Sequence, residues 1–275
     1  MSQTARSTIK KINGQQCVDA DDLLAVEEPL EIRLAYYSGK VLQQKSVSVT
    51  MRTPGNDEEL AIGFLYTEGI ISSISDVTNV AYCKPDNKNI ICVTLVDIPG
   101  KEFVIPERNF YTTSSCGVCG KASIEAVKTV CSIEETFDKI RIPASMIYEL
   151  PGKLRSTQDV FEHTGGLHAC ALFDKKGNLL LSREDVGRHN AVDKLIGTAL
   201  RAGMVPLRDH ILLLSGRISF ELVQKAVMAG IKIVAAVGAP SSLAAEMAEE
   251  QGMTLIGFLR GERFNIYSGA ERILM

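Results

Sequence analysis

The run Tyr111-Thr112-Thr113-Ser114-Ser115-Cys116-Gly117-Val118-Cys119-Gly120-Lys121 gathers the most reactive residue types of the 275-residue chain. A Cys-x-x-Cys spacing brings two sulfurs close, and the glycines at 117 and 120 keep the loop open. The helical pattern that follows, Ala122 to Val130, sets unpaired N–H groups and positive dipole charge beside Cys119, and Lys121 adds a cation. Each of these favours thiolate over thiol, so a lowered pKa and a nucleophilic sulfur are expected. Gly, Ser, Thr and Lys neighbours are not the surroundings of core thiols. A structural zinc needs four ligands, and the chain has no second Cys-x-x-Cys and no spaced histidine pair. Cys83 and Cys92 lie in strand-like segments and read as core, so no metal is assigned. A thioredoxin-type dithiol lacks the strand expected directly before the motif. That reading and a covalent carrier, in which a thiolate takes up sulfur and hands it on, both stand open on the motif alone.

A second set of residues suits anions. Asp185-Val186-Gly187-Arg188-His189-Asn190, Ser215-Gly216-Arg217-Ile218-Ser219 and Gly238-Ala239-Pro240-Ser241-Ser242 each join a strand pattern to a helix pattern, and Arg260-Gly261-Glu262-Arg263 ends a further strand. In a parallel sheet the carboxyl ends face one edge, where ligands bind. Helix N-termini with Arg217, Arg260, Arg263 and Arg188 would converge there on an anion, phosphate being the natural candidate. Any single turn of this kind is ordinary turn and cap chemistry; several on one edge are not. G-x-x-x-x-G-K-[ST] and G-x-G-x-x-G are both absent, which removes the ordinary nucleotide-hydrolase and dinucleotide fingerprints. Among the histidines, His189 at a helix start is the candidate for ligand contact, His168 reads as a hydrogen-bonded core residue, and His163 and His210 as surface or edge positions.

The elements that must position these residues fall into two grammars. Pro29 to Tyr37 and Ser46 to Met51 alternate as a strand hairpin, Leu60 to Glu68 is helical behind Asp57-Glu58-Glu59, and Val77 to Cys83 and Ile90 to Val96 are strands around a turn at Pro85-Asp86-Asn87. This predicts an antiparallel α+β layout. Met146 to His163 reads as one helix ended by Gly165-Gly166, and Leu167 to Phe173 and Leu179 to Ser182 as a hairpin. Asn190 to Ala202 is a helix with Asn190 at its N-cap. The alternation His210–Leu214, helix, Ile231–Val237, helix, Thr254–Phe258 predicts a parallel sheet covered on both faces. The expected organisation is a flexible N-terminal extension over 1–22, a smaller α+β domain over 23–142 ending in the Cys-x-x-Cys loop and helix, and an α/β domain over 143–275.

Composition bounds the function classes. With 30 Lys+Arg against 33 Asp+Glu the net charge is −3, which argues against general nucleic-acid binding. No apolar run approaches a membrane span of ~18 residues. Seven cysteines without an export signal do not read as a disulfide framework, and cytoplasmic residence follows.

Long stretches of the chain resemble the FdhD family of sulfur-carrier accessory proteins of formate dehydrogenases. The resemblance starts at Thr113-Ser114-Ser115-Cys116-Gly117-Val118-Cys119-Gly120-Lys121-Ala122. It continues through Thr164-Gly165-Gly166-Leu167-His168-Ala169, Glu184 to Lys194, Ser215 to Glu221 and Ala239 to Ala244, and ends at Gly257-Phe258 and Asn265-Ile266-Tyr267. It implies a sulfurtransferase-like shuttle, not a stand-alone metabolic enzyme. A cysteine desulfurase loads a persulfide on Cys116, and Cys119 contributes to transfer. The sulfur passes to the molybdenum or tungsten bis(pterin guanine dinucleotide) cofactor of formate dehydrogenase, of which a GDP-like guanine nucleotide is a partial mimic. The cofactor-binding stretch falls on Phe258, Leu259, Arg260, Gly261, Glu262 and Arg263, to which the strand-end residues Ser215, Gly216, Arg217 and His189 are added. The resemblance further implies a cytosolic homodimer with a cytidine-deaminase-like three-layer C-terminal domain. Deaminase chemistry does not carry over, since no H-x-E precedes a zinc-binding Cys pair.

Overall fold

A computed structural model describes residues 2–39, 41–84, 86–97 and 140–275. Cys116, Cys119 and the helix expected after them lie outside the described residues. The chain opens with β1 (Thr4–Asn13) and β2 (Gln16–Ala25), an antiparallel hairpin turning at Gly14, whose φ is +60°. The flexible extension expected over 1–22 is thus corrected to paired strands. Both faces of this ribbon are mostly exposed, so no apolar alternation marks it in the sequence. Charge complementarity across it is visible instead, as in Lys10 facing Asp19 at 2.9 Å.

The next sheet has the order β4-β3-β6-β5, from β3 (Glu28–Ser38), β4 (Val41–Arg52), β5 (Val77–Lys84) and β6 (Asn87–Leu95), with α1 (Asp57–Thr67) between β4 and β5. Both expected hairpins are present. β3 and β6, however, pair in parallel, so the antiparallel layout is corrected to a mixed sheet. Leu30, Ile32 and Leu34 of β3 and Ile91 and Val93 of β6 are fully buried on its inner face, the period of two that made these strands legible.

After β7 (Ile142–Pro143) come α2 (Ala144–Arg155) and α3 (Asp159–Thr164), so the single helix expected over Met146–His163 is interrupted at Ser156–Gln158. Gly165 at φ +65° ends α3 as expected. Then follow β8 (His168–Asp174), β9 (Leu179–Asp185), α4 (Arg188–Arg201), β10 (His210–Leu214), α5 (Phe220–Met228), β11 (Ile233–Ala236), α6 (Ser242–Glu250), β12 (Thr254–Arg260), β13 (Arg263–Ser268) and β14 (Ile273–Leu274). The N-cap of α4 is Gly187, not Asn190, which sits within its first turn.

β10, β11 and β12 are parallel, as the alternation requires. The whole sheet is six-stranded and mixed, in the order β13-β12-β11-β10-β8-β9, because antiparallel strands flank the parallel centre on both sides. Helix α2 packs Ile147, Leu150 and Leu154 on one face against Ala171, Phe173 and Leu213. Helices α4, α5 and α6 cover the other face, giving three layers, and their core continues without a break into α1 and the N-terminal sheet. At the join, α1 meets α4 through Gly63 and Gly197: a Cβ on Gly63 would strike the Asp193 carbonyl, and one on Gly197 the Glu59 carbonyl. Only glycine permits that approach. β14 returns to pair in parallel with β7. Among the described residues no helix is long and apolar enough to cross a membrane.

Candidate functional site

Strand direction brings the predicted turns together. β9 runs antiparallel to β8, and β8 antiparallel to β10, so the carboxyl ends of β9, β10, β11 and β12 all reach one edge of the sheet. The turns at 186–187, 215–219 and 237–241 leave that edge and enter α4, α5 and α6, whose N-termini therefore point towards it. Oriented N–H groups and dipole charge at three helix starts make an anion-favouring rim.

Backbone hydrogen bonds stitch the turns to one another. Gly238 donates its N–H to the Gly216 carbonyl (3.1 Å), Phe258 donates to Gly238 (3.0 Å), and Ile218 donates to Ala239 (3.0 Å). A Cβ on Gly238 would lie 2.7 Å from the Gly216 oxygen, and one on Gly216 would lie 3.2 Å from Nδ1 of His168. Glycine is thus needed for the close spacing of these turns.

His168, at the start of β8, comes to the same place. The core position expected for it is corrected: it lines a cavity of about 460 Å³ with Ser215, Val237, Gly166, Gln158 and Phe161. Burial, then the nearby positive charges of Arg188 and Arg217, hold its imidazole below the usual histidine range. The ring thus lies within electrostatic reach of both guanidiniums and of the Asp185 carboxylate. Ser215 closes the turn onto β8, its N–H donating to the Ala169 carbonyl (2.9 Å) and its hydroxyl accepting from the Ala169 N–H (2.8 Å). His189 is buried, with Nε2 3.1 Å from the Ser219 hydroxyl and 3.9 Å from the Glu221 carboxylate, so it links the α4 and α5 N-termini.

The 258–263 stretch divides by residue. Phe258 is 45% exposed and has φ +55°, a left-handed conformation that costs a bulky side chain about 1–3 kcal/mol. It is held there by the Gly238 hydrogen bond and by the irregular register of β12 against β13. Leu259, assigned to the cofactor by resemblance, has its side chain fully buried in the core beneath α2. Arg260, Gly261, Glu262 and Arg263 are exposed at the tip of the β12–β13 hairpin.

Much of the longest motif proves to be scaffold. Asp185 forms a buried ion pair with Lys194 (2.7 Å) and accepts from the backbone N–H groups of Thr53 (3.1 Å) and Gly187 (2.8 Å). Asn190 donates to the Met51 carbonyl (2.7 Å), and Lys194 to that of Thr53 (2.8 Å). Asp193 pairs with Lys225 (2.8 Å) and accepts from the Thr67 hydroxyl (2.8 Å). Glu184 accepts the N–H groups of Val160 and Phe161 at the start of α3. These residues fix the loop after β4 and the start of α4 relative to the rim. Of the cysteines described, Cys170 is buried, its thiol donating to the Ala191 carbonyl (3.1 Å), and burial pushes its pKa up.

Residues 25–274 match the FdhD/NarQ family. The chain belongs to that family. It is 50% identical over 279 residues to the sulfur carrier protein FdhD of Mycolicibacterium paratuberculosis, covering 99% of this chain and 100% of the relative. It is 44% identical to the protein of the same name from Sulfurisphaera tokodaii, covering 99% and 100%. A solved structure described as a formate dehydrogenase accessory protein, from Desulfotalea psychrophila, superposes with a TM-score of 0.75 at 24% identity, covering 99% of this chain and 100% of that one. That last likeness speaks for the shared fold of FdhD/NarQ proteins.

Proposed function

We propose that the protein is a sulfur carrier that accepts sulfur from a cysteine desulfurase and delivers it to the molybdenum or tungsten bis(pterin guanine dinucleotide) cofactor destined for formate dehydrogenase. The observation that carries this reading is the convergence of Gly-, Ser- and Arg-bearing turns on one sheet edge, in a chain that also holds Cys116-x-x-Cys119. The names of the relatives support it.

The chemistry divides between the two constellations. The Cys116 thiolate attacks the outer sulfur of the desulfurase persulfide, the S–S bond breaks, and the desulfurase cysteine leaves as thiolate. The protein now carries a Cys116 persulfide, and Cys119 assists its onward transfer. At the rim, helix N-termini and the guanidiniums of Arg188, Arg217, Arg260 and Arg263 neutralise the diphosphates of the guanine nucleotide arms. Phe258 offers an exposed ring on which a base can stack. A cytoplasmic homodimer is part of the same proposal.

The reading predicts a separation of binding from activation. Cys116→Ala should bind GDP with the parent's affinity by calorimetry, yet leave formate dehydrogenase inactive in a maturation assay. Full activation by that variant would refute the carrier role.

A further inference from the structure

On the outward face of the N-terminal sheet stands a second pair of thiols, apart from the ligand rim. Along β6, Ile91 and Val93 point into the core, both fully buried, so Cys92 between them points outward, where it is half-buried. Cys92 stands opposite Ala81 of β5 and beside Arg33 of β3. Cys83 follows Ala81 by two positions on the same strand, at a register shift between Tyr82 and Lys84, and it too is a half-buried free thiol. The two thiols are diagonal neighbours across the β5–β6 pairing, and Arg33 stands beside Cys92 on the next strand. Glu31 holds its guanidinium in place through contacts at 2.9 and 3.0 Å. Burial and the adjacent Cys83 sulfur push Cys92 up to about 11. Cys92 therefore keeps its proton at neutral pH. A thiol held protonated is the poorer first nucleophile, so Cys83 attacks first and Cys92 is the resolving sulfur.

We propose that Cys83 and Cys92 are a cross-strand redox pair that closes to a disulfide when met by a peroxide-class oxidant. The Cys83 sulfur attacks one peroxide oxygen and the O–O bond breaks. Cys83 becomes a sulfenic acid, and the other oxygen departs with the Cys83 proton as water. The Cys92 sulfur then attacks the Cys83 sulfur, the S–O bond breaks, and hydroxide leaves with the Cys92 proton as a second water. Together the thiols lose two electrons and two protons, and hydrogen peroxide is reduced to water. The product ties β5 to β6, and a thiol reductant restores the open pair.

The test uses the full chain with Cys116→Ser and Cys119→Ser, which removes the other closely spaced pair. The protein is treated with hydrogen peroxide, alkylated without reductant and digested with trypsin. Cleavage after Lys88 separates the two cysteines, so a disulfide appears as linked peptides that part on reduction. The expected result is that linked product, with loss of both free thiols at 83 and 92. Recovery of both as alkylated thiols, while exposed Cys17 is oxidised, would overturn the proposal. In Cys92→Ala, the sulfenic-acid probe dimedone should label Cys83. In Cys83→Ala, Cys92 should stay unlabelled, and equal labelling of the two would overturn the assigned order. None of these readouts involves formate dehydrogenase, so the outcome is independent of the carrier reading.

Discussion

Asp185 uses both carboxylate oxygens inside the protein, towards Lys194, Asn190 and the N–H groups of Thr53 and Gly187. Both members of the ion pair have fully buried side chains, so removing one leaves an uncompensated charge. Lys194→Met should therefore lose about 3–5 kcal/mol of stability, read from urea unfolding; an unmoved midpoint would contradict the role given to the pair. At the rim, His168 makes a signed pH prediction. Its imidazole titrates below the usual histidine range of ~6.5, so between the two values the unfolded chain binds more protons than the folded one. Stability then rises with pH and is lost as pH falls below that range. His210, also shifted down by burial, acts in the same direction. His168→Gln should therefore flatten the decline in Tm between pH 7 and pH 5.5 without abolishing it. An identical decline would mean the ring is solvated. At this scale the sequence marked the residues but not their work: Asp185, Asn190 and Lys194 stand in one motif with Arg188 and His189, and only their contacts with Met51 and Thr53, distant in the chain, show that the first three are braces.

The elements were most legible where a single period dominates. β3 and β6 alternate, β10 and β11 are short apolar runs, and α5 and α6 begin just after Ser219 and Ser241. Two-sided exposure hid the β1–β2 hairpin. The parallel pairing of β3 with β6 and the antiparallel pairing of β8 with β10 were hidden because such pairings join residues far apart in the chain. The break between α2 and α3 has no strong signal, since Pro151 lies inside α2 and the chain leaves the helix only after Arg155. The α1–α4 contact depends on backbone proximity, to which hydrophobic patterning is blind. Gly197→Ala would force the two helices apart against a well-packed core and should cost about 1–3 kcal/mol or more. Thermal unfolding measures this, and an unchanged Tm would show that the helices can separate freely.

For the whole molecule, one core runs from the N-terminal sheet through α1 and α4 to the six-stranded sheet, so the rim is set in a braced frame. Residues 98–139, which contain Cys116 and Cys119, lie between β6, hydrogen-bonded into the first sheet, and β7, paired with β14. The reactive thiols were legible in the Cys-x-x-Cys motif and its neighbours, and the anion-favouring rim in the strand-end turns, with no residue common to both; the resemblance is what joined them into one proposed function. Their joint use rests on sulfur travelling on Cys116. The direct measurement is mass spectrometry of the protein after incubation with a cysteine desulfurase and cysteine, without reductant. The account predicts one added sulfur on the peptide holding Cys116 and Cys119, removed by reductant and absent from Cys116→Ala. An unmodified peptide under conditions in which the desulfurase itself is persulfidated would contradict it.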